Sequence, residues 1–399
     1  MIKVGFLLNF PLDYKGGINY LKNLFYAINK FHTDKVEITM FVSSDISEEY
    51  LNMFSPYASI VKTNLLKRKS VPWFFSKVTG RFFDYDLFTY NLLMKHKIDV
   101  ISHSNFIFPN KKIKSLNWIP DFQYIHYSDL WTEGQLSATK KLHENLIKKS
   151  DAIVLSSHAA FDDFKINHIE HQQKVSVLNF VSQPDQEIEV LLKNEGEDQI
   201  KQTYHIDRPF FYMPNQFWSH KNHKVVFEAV KILKGKGLNP LVLTSGLMSD
   251  YRNGSNHVEQ LQQFVTDNLL TENIMFLGLI PYKHVIKLIL MADCIINPSF
   301  FEGWSSTVEE AKTVGKRILL SNIPVHIEQA PKSGIYFDPE NAVELAHKME
   351  GVLKEKIKPI SNIIDLRISL DDRTRAFALN YFQILKGLLQ NNDCDSKNV

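Results

Sequence analysis

The feature that most constrains this chain is a regular alternation of short apolar runs with amphipathic segments along most of its 399 residues. Strand-like runs in the first half are Val4–Asn9, Val36–Val42, Asp99–His103, Leu116–Pro120, Ala152–Ser156 and Val175–Asn179. Those in the second half are Phe210–Pro214, Leu241–Ser245, Ile274–Gly278, Cys294–Asn297, Arg317–Ser321 and Ile335–Phe337. Their lengths suit strands, and helical patterns lie between most of them. That order predicts an α/β fold of parallel sheets wrapped by helices. A single core stops growing near ~250–300 residues, so the length points to two domains. An acidic, polar stretch, Gln183–Asp207, breaks the rhythm just before Pro209. It predicts a first Rossmann-like domain over 1–190 and a second over 200–370. The amphipathic segment 371–390 follows no new strand and reads as a C-terminal helix packing back on the first domain. Residues 391–399 read as a disordered tail.

Composition narrows the function classes. A net charge of +2 gives no bulk attraction for nucleic acid, and 44% hydrophobic with 23% charged residues is ordinary for a globular protein. The two cysteines, Cys294 and Cys394, have no paired spacing of a disulfide framework or a zinc site. The first residues run straight into a strand-like segment with no leader pattern, and no stretch of ~18 apolar residues occurs. A cytoplasmic location is the expectation. Locally the balance shifts: Lys62–Lys149 holds 15 Lys plus Arg against 7 Asp plus Glu. Within it, 67–83 interleaves Lys67, Arg68, Lys69, Lys77 and Arg81 with Trp73, Phe74, Phe75, Phe82 and Phe83. That mixture suits an anionic membrane surface on the inner face of a cytoplasmic membrane. It equally suits core aromatics beside a solvated basic face.

Doubly wound sheets bind ligands where strand carboxyl ends meet helix N-termini, so two such domains imply a cleft between their strand ends. The run Asn297–Ala311 has that form: a strand end, a loop with Gly303, then hydroxyls at Ser305, Ser306 and Thr307 that suit a helix start. Free amides there, with the helix dipole, suit a diphosphate. Glu310, one turn inside the helix, can accept the two hydroxyls of a ribose, leaving Glu302 toward a sugar. Ser306 and Glu309 have the spacing of a capping box, which accounts for Glu309 without a ligand. A capped surface helix behind a solvated loop is the plain alternative.

Glu302-Gly303-Trp304, Glu310-Ala311 and Gly315 resemble the E-G-x…E-A…G signature of glycosyltransferase family 4. The resemblance covers most of the chain and is clearest in its second half. It implies a GT-B fold, in which two Rossmann-like doubly wound domains face a central cleft, and a retaining transferase. The donor implied is a nucleoside diphosphate sugar, and the acceptor a glycan or lipid-linked glycan of the cell-surface polysaccharide or O-antigen type. The later glutamate, here Glu310, then binds ribose, and the earlier one, Glu302, lies near the donor sugar. In the family an Arg and a Lys five apart stabilise the departing diphosphate. Lys221 matches the Lys, while Gln216 stands where the Arg is usual, so one cation is missing or supplied elsewhere. Gly16 and Gly17 match a loop that approaches the donor phosphate and acceptor. Trp118–His126 resembles the D-F-Q-H-x-H segment of mannosyl- and rhamnosyltransferase-like members, with Tyr124 in place of the first His. It makes His126 a candidate for sugar or phosphate contact and Asp121 a group that orients it or binds an acceptor hydroxyl. The Gly278–Pro281 loop contacts the base in the family.

Other strand ends carry weaker signals. Thr244-Ser245-Gly246 reads as a backbone turn lining the nucleotide pocket, and Ser156-Ser157-His158 as an acceptor contact or a helix cap. Asp84-Tyr85-Asp86 has the D-x-D pattern of a metal motif but does not follow a strand. No metal cofactor is expected if helix amides and Lys221 receive the diphosphate. Two other readings fit the same residues: an epimerase or hydrolase of nucleotide sugars, and a catalytically silent sugar-nucleotide-binding partner.

Overall fold

The computed structural model describes residues 1–8, 15–82, 85–109, 112–184, 196–250, 256–355 and 363–395. The chain divides into two compact units. Unit 1 comprises Met1–Phe122, Gly134–Val181 and Asp372–Val399, and unit 2 comprises Gln123–Glu133 and Ser182–Asp371.

Unit 1 is built on β1 (Ile2–Leu7), β2 (Val36–Ser43), β3 (Ser59–Thr63), β4 (Val100–Ser102), β5 (Lys114–Ile119), β6 (Ala152–Leu155) and β7 (Val175–Val177). All pair in parallel, in the order β3-β2-β1-β4-β5-β6-β7. Strand β3 is absent from the sequence expectation because Ser59–Thr63 holds only two aliphatic residues and lies half-exposed at the sheet edge. Edge strands need no continuous apolar run. The helix Lys15–His32 follows β1 and carries Gly16 and Gly17 in its first turn. Asp86 is the N-cap of the helix Leu87–Lys95: it accepts from the amides of Phe88 and Thr89 and from the Thr89 and Ser76 hydroxyls. Its carboxylate is thus committed to local structure, and Asp84 lies outside the described residues.

Unit 2 is built on β8 (Phe211–Met213), β9 (Val242–Thr244), β10 (Ile274–Phe276), β11 (Cys294–Asn297), β12 (Ile318–Ser321) and β13 (Gly334–Phe337). The order is β10-β9-β8-β11-β12-β13, again all parallel. Side chains alternate strictly between two cores. Phe211, Met213, Val242, Ile296 and Leu319 join one, with the helices His223–Gly235, His257–Asp267 and Ala342–Lys354. Tyr212, Leu243, Ile295, Ile318 and Leu320 join the other, with Tyr282–Met291 and Ser306–Val314. Burial on both faces is why these strands read as unbroken apolar runs. Each fully buried side chain of this size contributes roughly 1.5–3 kcal/mol.

The acidic boundary stretch is only partly a linker. It contains the helix Glu197–Tyr204, whose Ile200 is buried in the second of these cores; residues 185–195 lie outside the described residues. Unit 2 also takes in Gln123–Glu133, which the sequence groups with the first domain. The last helix, Ile363–Asp395, runs through 391–395, the start of the stretch read from sequence as a tail; residues 396–399 lie outside the described residues. Phe377 and Tyr381 of that helix are buried in unit 1, where Phe377 packs on Tyr20 and the Tyr381 hydroxyl donates to Ser102 Oγ at 2.8 Å.

Candidate active site

In unit 2 the strand order reverses direction between β8 and β11, which are direct neighbours although three strands apart in number. Their carboxyl ends flank the crevice where doubly wound sheets bind ligands. Glu302 and Lys221 come from the loops after these two strands. The Lys221 ammonium donates to both carboxylate oxygens of Glu302, each at 2.7 Å, and the Ser299 hydroxyl lies 2.7 Å from Oε1. Both side chains are nearly enclosed, at 13% and 8% exposed. Burial alone raises the Glu302 carboxyl. Lys221, His326 and the Ser299 hydroxyl together outweigh it and hold the group below its ordinary value.

The two loops are fastened by buried asparagines. Asn215 Nδ2 donates to Asn297 Oδ1 at 3.0 Å, and Asn297 Nδ2 donates to Ser305 Oγ at 2.8 Å. Asn222 has φ 52°, a left-handed conformation that Asn tolerates better than most residues, and its amide donates to the carbonyls of Pro298 and Pro339. The Phe300 amide donates to the His220 carbonyl at 2.8 Å. A wholly polar lattice at this depth is stable because its donors find acceptors.

That lattice sets the start of the helix Ser306–Val314. Its N-cap is Ser305, whose hydroxyl accepts from the Val308 amide. The capping box read between Ser306 and Glu309 therefore does not form, because the cap lies one residue earlier. Glu309 Oε1 instead accepts from Lys312 Nζ at 2.9 Å and Gln329 Nε2 at 3.1 Å. Gln329 also clamps the cap residue, accepting from Ser305 N at 3.1 Å and donating to Ser305 O at 3.0 Å. The backbone amides of Ser306 and Thr307 have no partner among the described residues. The helix closes at Gly315, φ 66°, whose amide bonds the Ala311 and Lys312 carbonyls.

Glu310 lies one turn inside this helix, beside a hollow lined by Ser182, Pro184, Tyr282, Ile286 and Thr313. Burial raises its carboxyl to about 7, although the Tyr282 hydroxyl donates to it at 3.0 Å and opposes the rise. Gln216 turns its side-chain carbonyl to the Leu247 amide at 2.6 Å and so holds the turn after β9. In that turn Gly246 has φ 153°, and a Cβ there would lie 2.5 Å from the Asn215 carbonyl oxygen, so only Gly fits. Its amide donates to Gly278 O at 2.9 Å, joining the turns after β9 and β10. His126 stacks near Phe301, ring centroids 5.6 Å apart, and the Tyr127 ring lies 6.3 Å from Phe300. This brings His126 to the residue next to Glu302.

The structure thus gathers Lys221, Glu302, Ser305, Ser306, Thr307, Gln216, Gly246, Glu310 and His126 in unit 2. Asp121, Gly16 and Gly17 belong to unit 1. Sequence reasoning missed Asn215, Asn297, Ser299, Tyr282, His326 and Gln329. Asn215 and Asn297 carried a usable signal: each is a polar residue at or just past the carboxyl end of an apolar strand. His326 is fully buried, with Nδ1 3.0 Å from the Ser321 carbonyl and Nε2 without a partner among the described residues. Burial pushes its pKa down to about 4 against the pull of Glu302, which keeps the ring neutral.

Residues 196–365 match the family model of glycosyl transferases group 1. The match covers the glutamates, Lys221 and the amide-bearing helix start. No curated protein sequence matches the chain. Solved structures match over nearly all of it. A glycosyltransferase from Rickettsia africae is 14% identical with a TM-score of 0.60, covering 98% of this chain and 97% of that one. HepE of Anabaena, in complex with UDP and glucose, is 13% identical with a TM-score of 0.62, covering 100% of both. WaaG, a glycosyltransferase involved in lipopolysaccharide biosynthesis, is 15% identical with a TM-score of 0.59, covering 96% and 98%. These likenesses show the fold: two parallel-sheet α/β units in the GT-B arrangement of chain order.

Proposed function

We propose that this chain is a retaining glycosyltransferase that moves a hexose from a nucleoside diphosphate sugar to a hydroxyl of a glycan or lipid-linked glycan. The observation that carries the reading is the helix start at Ser306 and Thr307, two amides without a partner among the described residues, whose cap Ser305 is tied through Asn297 and Ser299 to the Lys221–Glu302 pair at the strand-order reversal. The family match over 196–365 and the UDP and glucose bound by HepE support the donor class.

In this reading the diphosphate binds the Ser306 and Thr307 amides and Lys221. Glu310 accepts hydrogen bonds from the ribose hydroxyls, and the turns held by Gln216 and Gly246 border the nucleotide. Glu302, oriented by Lys221 and Ser299, accepts from hydroxyls of the hexose, and His126 lies on the sugar side next to Phe301. Asp121, Gly16 and Gly17 keep the roles that the resemblance gives them. As the glycosidic C–O bond breaks, negative charge grows on the departing phosphate, where fixed amides and an ammonium stabilise it most. The acceptor hydroxyl attacks the same face and passes its proton to the departing phosphate oxygen. No metal is required for that charge balance.

A thermal-shift screen against UDP, GDP, dTDP and their sugars tests the donor class. A ligand at ~100 times its Kd adds roughly 2.7 kcal/mol and raises the melting temperature. No shift with any nucleotide sugar rejects the reading. Product analysis with the matching donor then tests the reaction: a product with the anomeric configuration of the donor supports retention, and an inverted product contradicts it.

A further inference from the structure

The helix Val71–Phe82 of unit 1 is amphipathic the wrong way round for a protein surface. Positions 71, 75, 78 and 82 recur at helical spacing and form one stripe of Val71, Phe75, Val78 and Phe82. Most of that stripe faces outward: Val71 is 69%, Phe75 51% and Phe82 80% exposed, with Phe74 at 60% on its flank and Val78 half-buried. Phe88 of the following helix extends it, its ring 6.5 Å from that of Phe75. The inward side carries Ser76, whose buried hydroxyl bonds the Asp86 carboxylate, and Thr79, whose Oγ1 donates to the Ser76 carbonyl. Contiguous exposed aromatics of this size mark an interaction surface rather than ordinary solvent-facing structure.

The charges around the stripe select the partner. Residues 67–83 hold five Lys or Arg and no Asp or Glu; Asp84 and Asp86 follow. Lys67, Arg68, Lys69 and Lys77 are exposed. Asp45 is the acidic neighbour of Lys67, and the Asp86 carboxylate is turned inward to Ser76 and Thr89. Ser70, just after the basic triplet in the chain, fixes the entry to the helix: its hydroxyl accepts from Trp73 N at 3.1 Å and donates to Asn64 O at 2.6 Å. Twelve residues of helix reach about 18 Å, too short to span a bilayer but suited to lie flat in its headgroup region. Among the described residues no helix is long and apolar enough to cross a membrane.

We propose that Val71–Phe82 docks unit 1 on an anionic lipid bilayer, with the phenylalanines at the acyl boundary and the basic residues among the headgroups. The inference stands independently of the transfer chemistry.

The full chain is sedimented with vesicles of phosphatidylcholine and phosphatidylglycerol, about two parts to one, and with phosphatidylcholine alone. The chain binds the anionic vesicles roughly tenfold more strongly, and added salt weakens the binding. The variant Phe74→Ser/Phe75→Ser/Phe82→Ser binds them at least about tenfold more weakly, because each exposed ring loses apolar burial in the bilayer. Since those rings are exposed, the variant keeps its melting temperature and any nucleotide-induced shift, which separates this result from failure of the donor site. Absence of wild-type binding at low salt overturns the proposal, as does binding by the triple variant equal to wild type. Light scattering that finds a vesicle-free dimer, converted to monomer by the same substitutions, assigns the face to a second copy and also overturns it.

Discussion

Lys221 and Glu302, 81 residues apart, meet with the ammonium nitrogen 2.7 Å from both carboxylate oxygens, at the carboxyl ends of neighbouring strands β8 and β11. Each charge is nearly enclosed and meets the other, so neither is buried alone. Breaking one side of such a pair leaves an uncompensated charge, which costs far more than the pair itself contributes. Lys221→Met is therefore expected to lower stability by about 3 kcal/mol by denaturant unfolding. Lys221→Met/Glu302→Gln is expected to recover most of that loss and none of the turnover. Recovery of turnover in the double variant would mean that the pair serves folding only.

Glu310 gives the site a pH signature. Its carboxyl sits near 7 in the folded chain against an ordinary 4.5, so folding favours its protonated form. The group's favourable contribution is complete below about pH 4.5 and is lost as pH rises through about 7, an effect of about 3 kcal/mol. Glu310→Gln is thus expected to match wild-type stability near pH 4 and to exceed it near pH 8. In the proposed donor complex ribose hydroxyls donate to the ionised form, so donor affinity is expected to tighten from pH 6 to 8 in wild type and to stay flat in Glu310→Gln. Isothermal titration across that range checks both halves.

Gln329 acts on the helix start without any placement on the donor. It bonds the amide and carbonyl of Ser305 and the Glu309 carboxylate. Gln329→Ala leaves these buried groups unpaired, at a cost of about 2 kcal/mol. Displacement of the Ser306 and Thr307 amides is expected to weaken binding of nucleoside diphosphates more than that of nucleosides. Equal loss for both would assign Gln329 to stability alone.

Gly246 tests the turn after β9. Alanine there drives a methyl to 2.5 Å from the Asn215 carbonyl oxygen in a backbone region unfavourable to L residues. Gly246→Ala is expected to lose about 3 kcal/mol of stability and, through Asn215, to disturb Asn297 and the Ser305 cap. Unchanged melting would show that the turn relaxes freely.

Chelation tests the charge balance of the proposed reaction. Transfer is expected to persist after dialysis against EDTA if, as proposed, the amides of Ser306 and Thr307 with Lys221 receive the diphosphate. Loss of activity restored by a divalent ion would contradict that assignment.

The central strands were legible because burial on both faces writes an apolar run that local reading detects. Strand β3 was not, because an edge strand needs only half of that signal. Glu302, Glu310 and Lys221 were visible through spacing after strand ends. The asparagine lattice and Gln329 were not, because most of their partners are distant in sequence: Asn215 lies 82 residues from Asn297, Asn222 lies 76 and 117 from Pro298 and Pro339, and Gln329 lies 24 and 20 from Ser305 and Glu309. His326 was not, because it sits in a short helix, Pro324–Gln329, that packing alone sets. The capping box failed for a local reason: three consecutive hydroxyls, Ser305, Ser306 and Thr307, can each cap, and the bond from Asn297 to Ser305 decides among them. Gln123–Glu133 was assigned to the first domain by sequence order, whereas its aromatic contacts with Phe300 and Phe301 group it with unit 2.

The most direct measurement is calorimetric titration of the matching nucleoside diphosphate sugar into wild type, Glu310→Ala and Lys221→Ala at one pH near 8. Glu310→Ala is expected to weaken donor binding by about tenfold or more, corresponding to ~1.4 kcal/mol, while Lys221→Ala chiefly lowers turnover. Wild-type affinity in Glu310→Ala together with wild-type turnover in Lys221→Ala would contradict the proposed site.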